Sequence, residues 1–214
     1  PFDHESIDLL DEVNIPFFKI PSGEITNLPY LRHIGSKGKP IVISTGMATM
    51  SEIYEAVKVL LKVGIKKDDL TILHCNTDYP TKIEDVNLKA MLSIKKEMGV
   101  RIGYSDHTKG IEIAIAAVAM GAEIIEKHFT LNRTLPGPDH LTSLEPIELN
   151  RMIKSIRNIE IALGNGIKSP TKSEIKNIKS IRKSIIVKRK IQKGDKFSDK
   201  NLEVKRPATG LSPM

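Results

Sequence analysis

Val100-Arg101-Ile102-Gly103-Tyr104-Ser105-Asp106-His107-Thr108 carries the organisation of the chain in nine residues. A short apolar run breaks into a polar cluster, and a stretch at helical spacing, Thr108 to Met120, follows at once. The same unit recurs along the sequence. Strands are expected at 17–20, 40–44, 70–75, 100–104 and 123–128, with helical patterns at 49–63, 84–98, 108–120 and 149–163 between and after them. The helix calling comes from apolar periodicity: Ile53, Val57, Leu60 and Leu61 share one face, as do Leu149, Met152, Ile153 and Ile156.

Strand starts recur about every 23 to 30 residues, the length of one βα unit, and continuous apolar strands suit a parallel sheet covered on both faces. Two architectures fit, a (β/α)8 TIM barrel and an open doubly wound sheet. Polar residues follow every strand: Pro21-Ser22-Gly23-Glu24, Ser44-Thr45-Gly46, His74 to Tyr79, Ser105 to Thr108, and Lys127 to Thr130. An open sheet gathers only the clusters near its switch point, whereas a barrel gathers all of them on one face. The barrel is therefore expected, with five βα units visible and Asp3–Val13 as the helix before the first visible strand. The sequence opens on Pro1 rather than Met, has no signal-peptide pattern, and reads as a piece of a longer chain.

The pattern changes after residue 166. A basic linker helix is expected at 167–183, then strands at 184–191 and 202–205, so that 1–166 is a partial barrel and 184–214 the start of a small β-rich module. Of the net charge of +7, residues 168–206 carry +10 and the rest −3. Such a tail invites a nucleic-acid reading, but Phe197 is its one aromatic, too few for base stacking, so no nucleic-acid partner is expected. No run approaches the length of a membrane span, and a single cysteine excludes an intrachain disulfide framework and suits the cytoplasm.

His107 and His128 close successive strands, where two neutral imidazoles can share a divalent cation and leave positions open for substrate oxygens; a satisfied structural histidine is the plainer alternative. His4, His33, His74 and His140 lack such a partner. Lys19 can meet a phosphate or carboxylate, or be a surface lysine. Ser22, Ser44 and Ser105 are small donors for an anion, or ordinary helix caps. Glu24 and Asp139 can bind hydroxyls or move protons, or be a helix-start and a turn carboxylate; Cys75 reads as a small buried hydrophobe. The residues alone thus give a cationic, metal-capable pocket for a phosphorylated or carboxylated substrate and leave the reaction open.

Six strings in order narrow this: Phe18-Lys19-Ile20-Pro21-Ser22-Gly23-Glu24, Ile43-Ser44-Thr45-Gly46-Met47-Ala48, His74-Cys75-Asn76-Thr77-Asp78-Tyr79-Pro80-Thr81, Gly103 to Thr108, Glu126-Lys127-His128-Phe129-Thr130-Leu131 and Gly137-Pro138-Asp139-His140. Together they resemble the sialic acid synthase family, and the tail from Ser184 through Lys205-Arg206-Pro207 resembles the start of that family's antifreeze-like (SAF) domain. The resemblance implies a transferase that condenses phosphoenolpyruvate with N-acetylmannosamine to give N-acetylneuraminate and phosphate. Alternatives are a legionaminic or pseudaminic acid synthase taking a 2,4-diacetamido-trideoxy hexose, and a non-catalytic sugar-acid-binding barrel.

By that resemblance His107 and His128 ligate Mn2+, or another divalent cation such as Mg2+, and act with Glu24 in catalysis. Lys19, Ser22, Ser44, Asn76 and Ser105 match positions holding phosphoenolpyruvate; some relatives place Asn where Thr77 stands, so Asn76 and Thr77 are alternatives for one contact. Glu24, Tyr79 and Asp139 match positions near the sugar, and Arg206 one that reaches across a domain-swapped homodimer to the partner's sugar.

Overall fold

The computed structural model describes residues 1–214. They divide into two compact units, Pro1–Gly164 and Asn165–Met214. The first unit contains five parallel strands, β1 (Phe18–Ile20), β2 (Ile41–Ser44), β3 (Leu70–Cys75), β4 (Arg101–Asp106) and β5 (Ile124–Lys127), paired in sequence order as a half-barrel sheet. Its helices are α1 (His4–Glu12), α2 (Leu28–Ser36), α3 (Met50–Lys62), α4 (Lys89–Met98), α5 (Glu112–Ala119) and α6 (Pro146–Leu163).

The register explains which residues meet. Phe18 pairs with Ile41, Ile41 with Leu70, and Ile72 with Ile102; alternation along each strand puts these side chains on one face. There they form a continuous core with Ile7, Leu31, Ile34, Ile53, Leu60, Met91 and Ile94 of the helices. The opposite face begins with Lys19, Ser44, Cys75, Ser105 and Glu126, and Ser105 is paired with both Cys75 and Glu126. On that face Gly103 has to lack a side chain, because a Cβ would run into the Leu73 side chain and the Ile124 carbonyl. Every residue of β5 is only half-buried, as befits the last strand of the sheet.

Helix starts follow local chemistry. Thr49 and Glu52 form a reciprocal capping box at α3, and Glu145 with Glu148 does the same at α6, where Pro146 fills the first turn. Two expectations change. The helix expected from Glu84 starts instead at Lys89: a 3-10 turn at Ile83–Asp85 and the left-handed Asn87 (φ 45°) intervene so that Val86 can enter the core. Helix α2 was missing from the sequence reading, because Pro29 and Gly35 obscure an apolar face of Tyr30, Leu31 and Ile34.

The second unit has helix α7 (Lys172–Ile181) and an antiparallel pair, β6 (Ser184–Val187) with β7 (Leu202–Lys205). This is much less than a β-rich domain, so a whole antifreeze-like domain does not lie within these residues. The strand expected to reach Ile191 ends at Val187. No helix of the chain is long and apolar enough to cross a membrane.

Candidate functional site

The C-terminal strand ends of the first unit open on a cavity of about 320 Å³. Lys19, Ser22, Ser44, Tyr79, Ser105, His107 and His128, all candidates from the sequence, line it. The larger hollow between α2 and α3 lies on the outer, helical side of the sheet, away from the strand ends, and gathers no such set.

The lining side chains sit on the strands or on the loops just beyond their C-terminal ends. The Lys19 ammonium lies 3.1 Å from Glu126 Oε1, and the Ser105 hydroxyl donates to the same oxygen at 2.6 Å. Ser22 Oγ accepts from the Gly46 N–H at 2.9 Å and lies 3.3 Å from Cys75 Sγ. The loop after β2 thus folds tightly over β1, and a Cβ on Gly46 would strike Thr77 Oγ1, Ser22 Oγ and Cys75 Sγ. Ser44 Oγ is buried with no hydrogen-bond partner. An unmatched hydroxyl on a cavity wall is a costly arrangement unless something binds there.

The two histidines meet edge to face, ring centroids 5.3 Å apart. His107 Nδ1 is 2.6 Å from the Asn76 carbonyl oxygen, to which it donates as N–H, so its Nε2 keeps the lone pair. Burial above all holds His107 below the ordinary imidazole range, favouring the neutral ring a metal needs. Tyr79 covers both rings, at 4.3 Å from His107 and 5.6 Å from His128, and burial raises its phenol above the usual range. Asp139 Oδ2 stands 3.8 Å from His128 Nδ1. The loop that brings it there is tied down by Arg133, which bonds the Ser143 carbonyl and the Glu148 carboxylate.

No third His, Cys, Asp or Glu joins the pair in a cluster able to hold a metal by itself. Two neutral imidazoles on one wall nevertheless fit a divalent cation whose other positions are filled by substrate or water oxygens. His107 and His128 would be its holders.

Three candidates lie elsewhere. The Glu24 carboxylate is engaged by the Asn27 side-chain amide at 2.6 Å and does not line the cavity. Asn76 turns its amide to the Asp85 carbonyl at 2.8 Å, while Thr77 lines the wall. Arg206 follows β7 in the second unit and is exposed. Conversely, Glu126, Met47 and Phe2 line the cavity without having been singled out. Glu126 could have been found by stepping back two residues along the strand from His128; Met47, left-handed at φ 67°, gives no such signal.

Residues 1–168 match the NeuB family. The chain is 56% identical over 214 residues to an N,N'-diacetyllegionaminic acid synthase of Campylobacter jejuni, covering all of this chain and 64% of that protein. It is 40% identical over 207 residues to the human N-acetylneuraminate-9-phosphate synthase, covering 95% of this chain and 56% of that one. A crystal structure of the N-acetylneuraminic acid synthetase of Leptospira borgpetersenii superposes with a TM-score of 0.77 at 40% identity, over 83% of this chain and 61% of the other. The chain therefore spans less than two thirds of the length of these curated relatives.

Proposed function

We propose that this chain, which belongs to the NeuB family, the family of sialic acid synthases, supplies the phosphoenolpyruvate and metal half of a synthase for nine-carbon 2-keto sugar acids. The observation that carries the reading is the convergence of Lys19, the unpartnered Ser44 hydroxyl, Ser105 and the two imidazoles on one cavity. In the reaction, C3 of phosphoenolpyruvate forms a bond to the aldehyde carbon of the open-chain sugar. The C=O π pair moves onto the aldehyde oxygen, and that oxygen takes up a proton to become a hydroxyl, balanced by the proton that water loses on addition. Water adds to the resulting C2 cation, and phosphate departs with cleavage of its C2–O bond, leaving the 2-keto acid.

Lys19 offers the charge for the anion, Ser22, Ser44 and Thr77 bring small hydroxyls to it, and Ser105 joins them where its hydrogen bond to Glu126 is given up. Glu126 lies 3.1 Å from the Lys19 ammonium, so an incoming anion competes with it for that charge. Tyr79 and Asp139, next to the histidines, are placed for the sugar. A divalent cation such as Mn2+ on His107 and His128 would supply Lewis-acid polarisation of the aldehyde oxygen. Glu24 remains a candidate for proton handling only if its bond to Asn27 is released.

The acceptor we favour is a 2,4-diacetamido-trideoxy hexose, on the strength of the 56% identity to a legionaminic acid synthase. N-Acetylmannosamine, first implied by the sequence strings, stands second, supported by the 40% identity to the human enzyme. We read 184–214, after the linker helix, as the beginning of the antifreeze-like module, with Arg206 serving the sugar site of a partner subunit in a domain-swapped dimer.

The test is phosphate release from phosphoenolpyruvate by the protein at the length its gene encodes, with Mn2+ and each sugar in turn. Release that requires both metal and the diacetamido sugar is expected. Turnover of N-acetylmannosamine alone moves the acceptor, and silence with every sugar from folded, metal-loaded protein leaves a sugar-acid-binding barrel.

A further inference from the structure

We propose that the buried Asp106–Lys127 ion pair is a positioning device that holds the His107 and His128 imidazoles at the spacing from which they take one divalent cation. The inference rests on the metal reading given above and adds two residues that do not touch the cavity. Asp106 and Lys127 are register partners on β4 and β5, each one residue before a histidine. Alternation therefore turns them to the helical face and their neighbours to the cavity. Lys127 Nζ lies 2.8 Å from Asp106 Oδ2, with the side chains 3% and 0% exposed.

The pair does more than join two strands. Asp106 Oδ1 accepts from the Thr108 N–H at 2.8 Å and from its hydroxyl at 2.7 Å. That is an Asx turn with His107 at its centre. Lys127 Nζ donates in addition to the Thr108 carbonyl at 2.7 Å, closing the same turn from the neighbouring strand. The His107 carbonyl accepts from the Thr81 N–H at 3.0 Å, and the His128 carbonyl from the Leu144 N–H at 2.9 Å. Both histidine backbones are thus held, and the ion pair adds a buried side-chain tie to the backbone ladder that joins their strands.

Stability does not call for such a pair. Two charges lose about as much on leaving water as they regain from each other, and well-packed apolar replacements are often neutral or better. A buried pair with all its hydrogen bonds made does fix one geometry, which is what two ligands on separate strands require.

The experiment replaces the pair rather than breaking it. Asp106→Leu/Lys127→Met, in the gene-encoded protein, removes both charges and leaves neither stranded. Its melting temperature without metal and its Mn2+ affinity by EPR titration are compared with the unaltered protein, along with the visible spectrum of the Co2+ form. Expected are a single cooperative melt, lowered by no more than the loss of the Thr108 hydrogen bonds accounts for, Mn2+ affinity lower by about tenfold or more, and an altered Co2+ spectrum. Unchanged affinity and spectrum in the folded double variant overturn the inference and leave the metal reading standing. Should that variant not fold, Asp106→Asn keeps an oxygen for Thr108 while turning an amide toward Lys127, and unchanged Mn2+ affinity there overturns the inference equally. An unaltered protein that binds no Mn2+ overturns the metal reading, and the inference with it.

Discussion

On the β4–β5 side of the cavity nearly every polar atom is committed to another part of the chain, whereas on the β1–β2 side the commitments are few. Asp106, Lys127, Thr108, His107 Nδ1 and Ser105 all have close partners. Across the cavity Ser44 Oγ has none, Lys19 has one carboxylate at 3.1 Å, and Met47 is 73% exposed in a left-handed conformation. The histidine side is organised before any ligand arrives. The serine side keeps hydrogen-bonding capacity in reserve, which suits the anionic ligand proposed for it. The two sides should therefore fail differently: breaking a committed pair on the first strands a buried partner and costs stability, whereas substitutions on the second cost ligand.

The sharpest attempt to break this contrast is Lys127→Met alone. It strands the Asp106 carboxylate, whose side chain is fully buried, and should lower unfolding free energy by about 3–5 kcal/mol in urea denaturation. A loss below about 1 kcal/mol would place the histidine side on the same footing as an ordinary surface pair.

Gly46 tests the seam between the sides. A methyl group there meets Thr77, Ser22 and Cys75 at once, so Gly46→Ala should cost about 1–3 kcal/mol through overpacking and weaken phosphoenolpyruvate binding as the wall shifts. Calorimetric titration and a melt on the same sample separate the two effects.

Ser44→Ala should behave in the opposite way. The hydroxyl it removes is buried and has no partner to lose, so the ligand-free protein should be no less stable than the unaltered one and can gain about 1 kcal/mol. Phosphoenolpyruvate affinity should fall about tenfold, the low end for a hydrogen bond to a charged group. Unchanged affinity would remove Ser44 from the anion site.

The strand-to-helix rhythm was legible because it rests on local pattern: apolar runs, caps and polar strand ends around Ser44, His107 and His128. Side-chain direction was legible in part. Counting by twos from His128 reaches Glu126, yet its contact with Lys19 joins the first strand to the fifth and follows only from the curvature of the sheet. Glu24 fell outside the cavity for a local reason, the 3-10 turn at Ser22–Glu24 that aims its carboxylate at Asn27. Asn76 and Thr77 could not be separated by sequence, since one residue at the end of β3 decides which faces inward.

The smallest expected effect concerns the helical face and involves no ligand. His74, on β3, directs Nε2 to the Val86 carbonyl at 2.8 Å and packs beside Tyr104. Burial, outweighing that hydrogen bond, holds its pKa below the ordinary 6.5. The unfolded chain consequently binds a proton more readily than the folded one between the depressed value and 6.5, and in that window stability rises with pH. The stabilising contribution is complete above about 6.5, falls away as the pH drops through that value, and is gone below the folded-state pKa. His107 shifts in the same direction, also chiefly through burial, so the two add in metal-free protein. Melting temperatures between pH 7.5 and 5 should decline for the unaltered protein and decline less for His74→Gln, which offers an amide to Val86 but carries no proton to gain. Equal slopes for the two proteins would mean that the charged ring of His74 is accommodated in the core, and the acid sensitivity would then belong to the histidine side of the cavity alone.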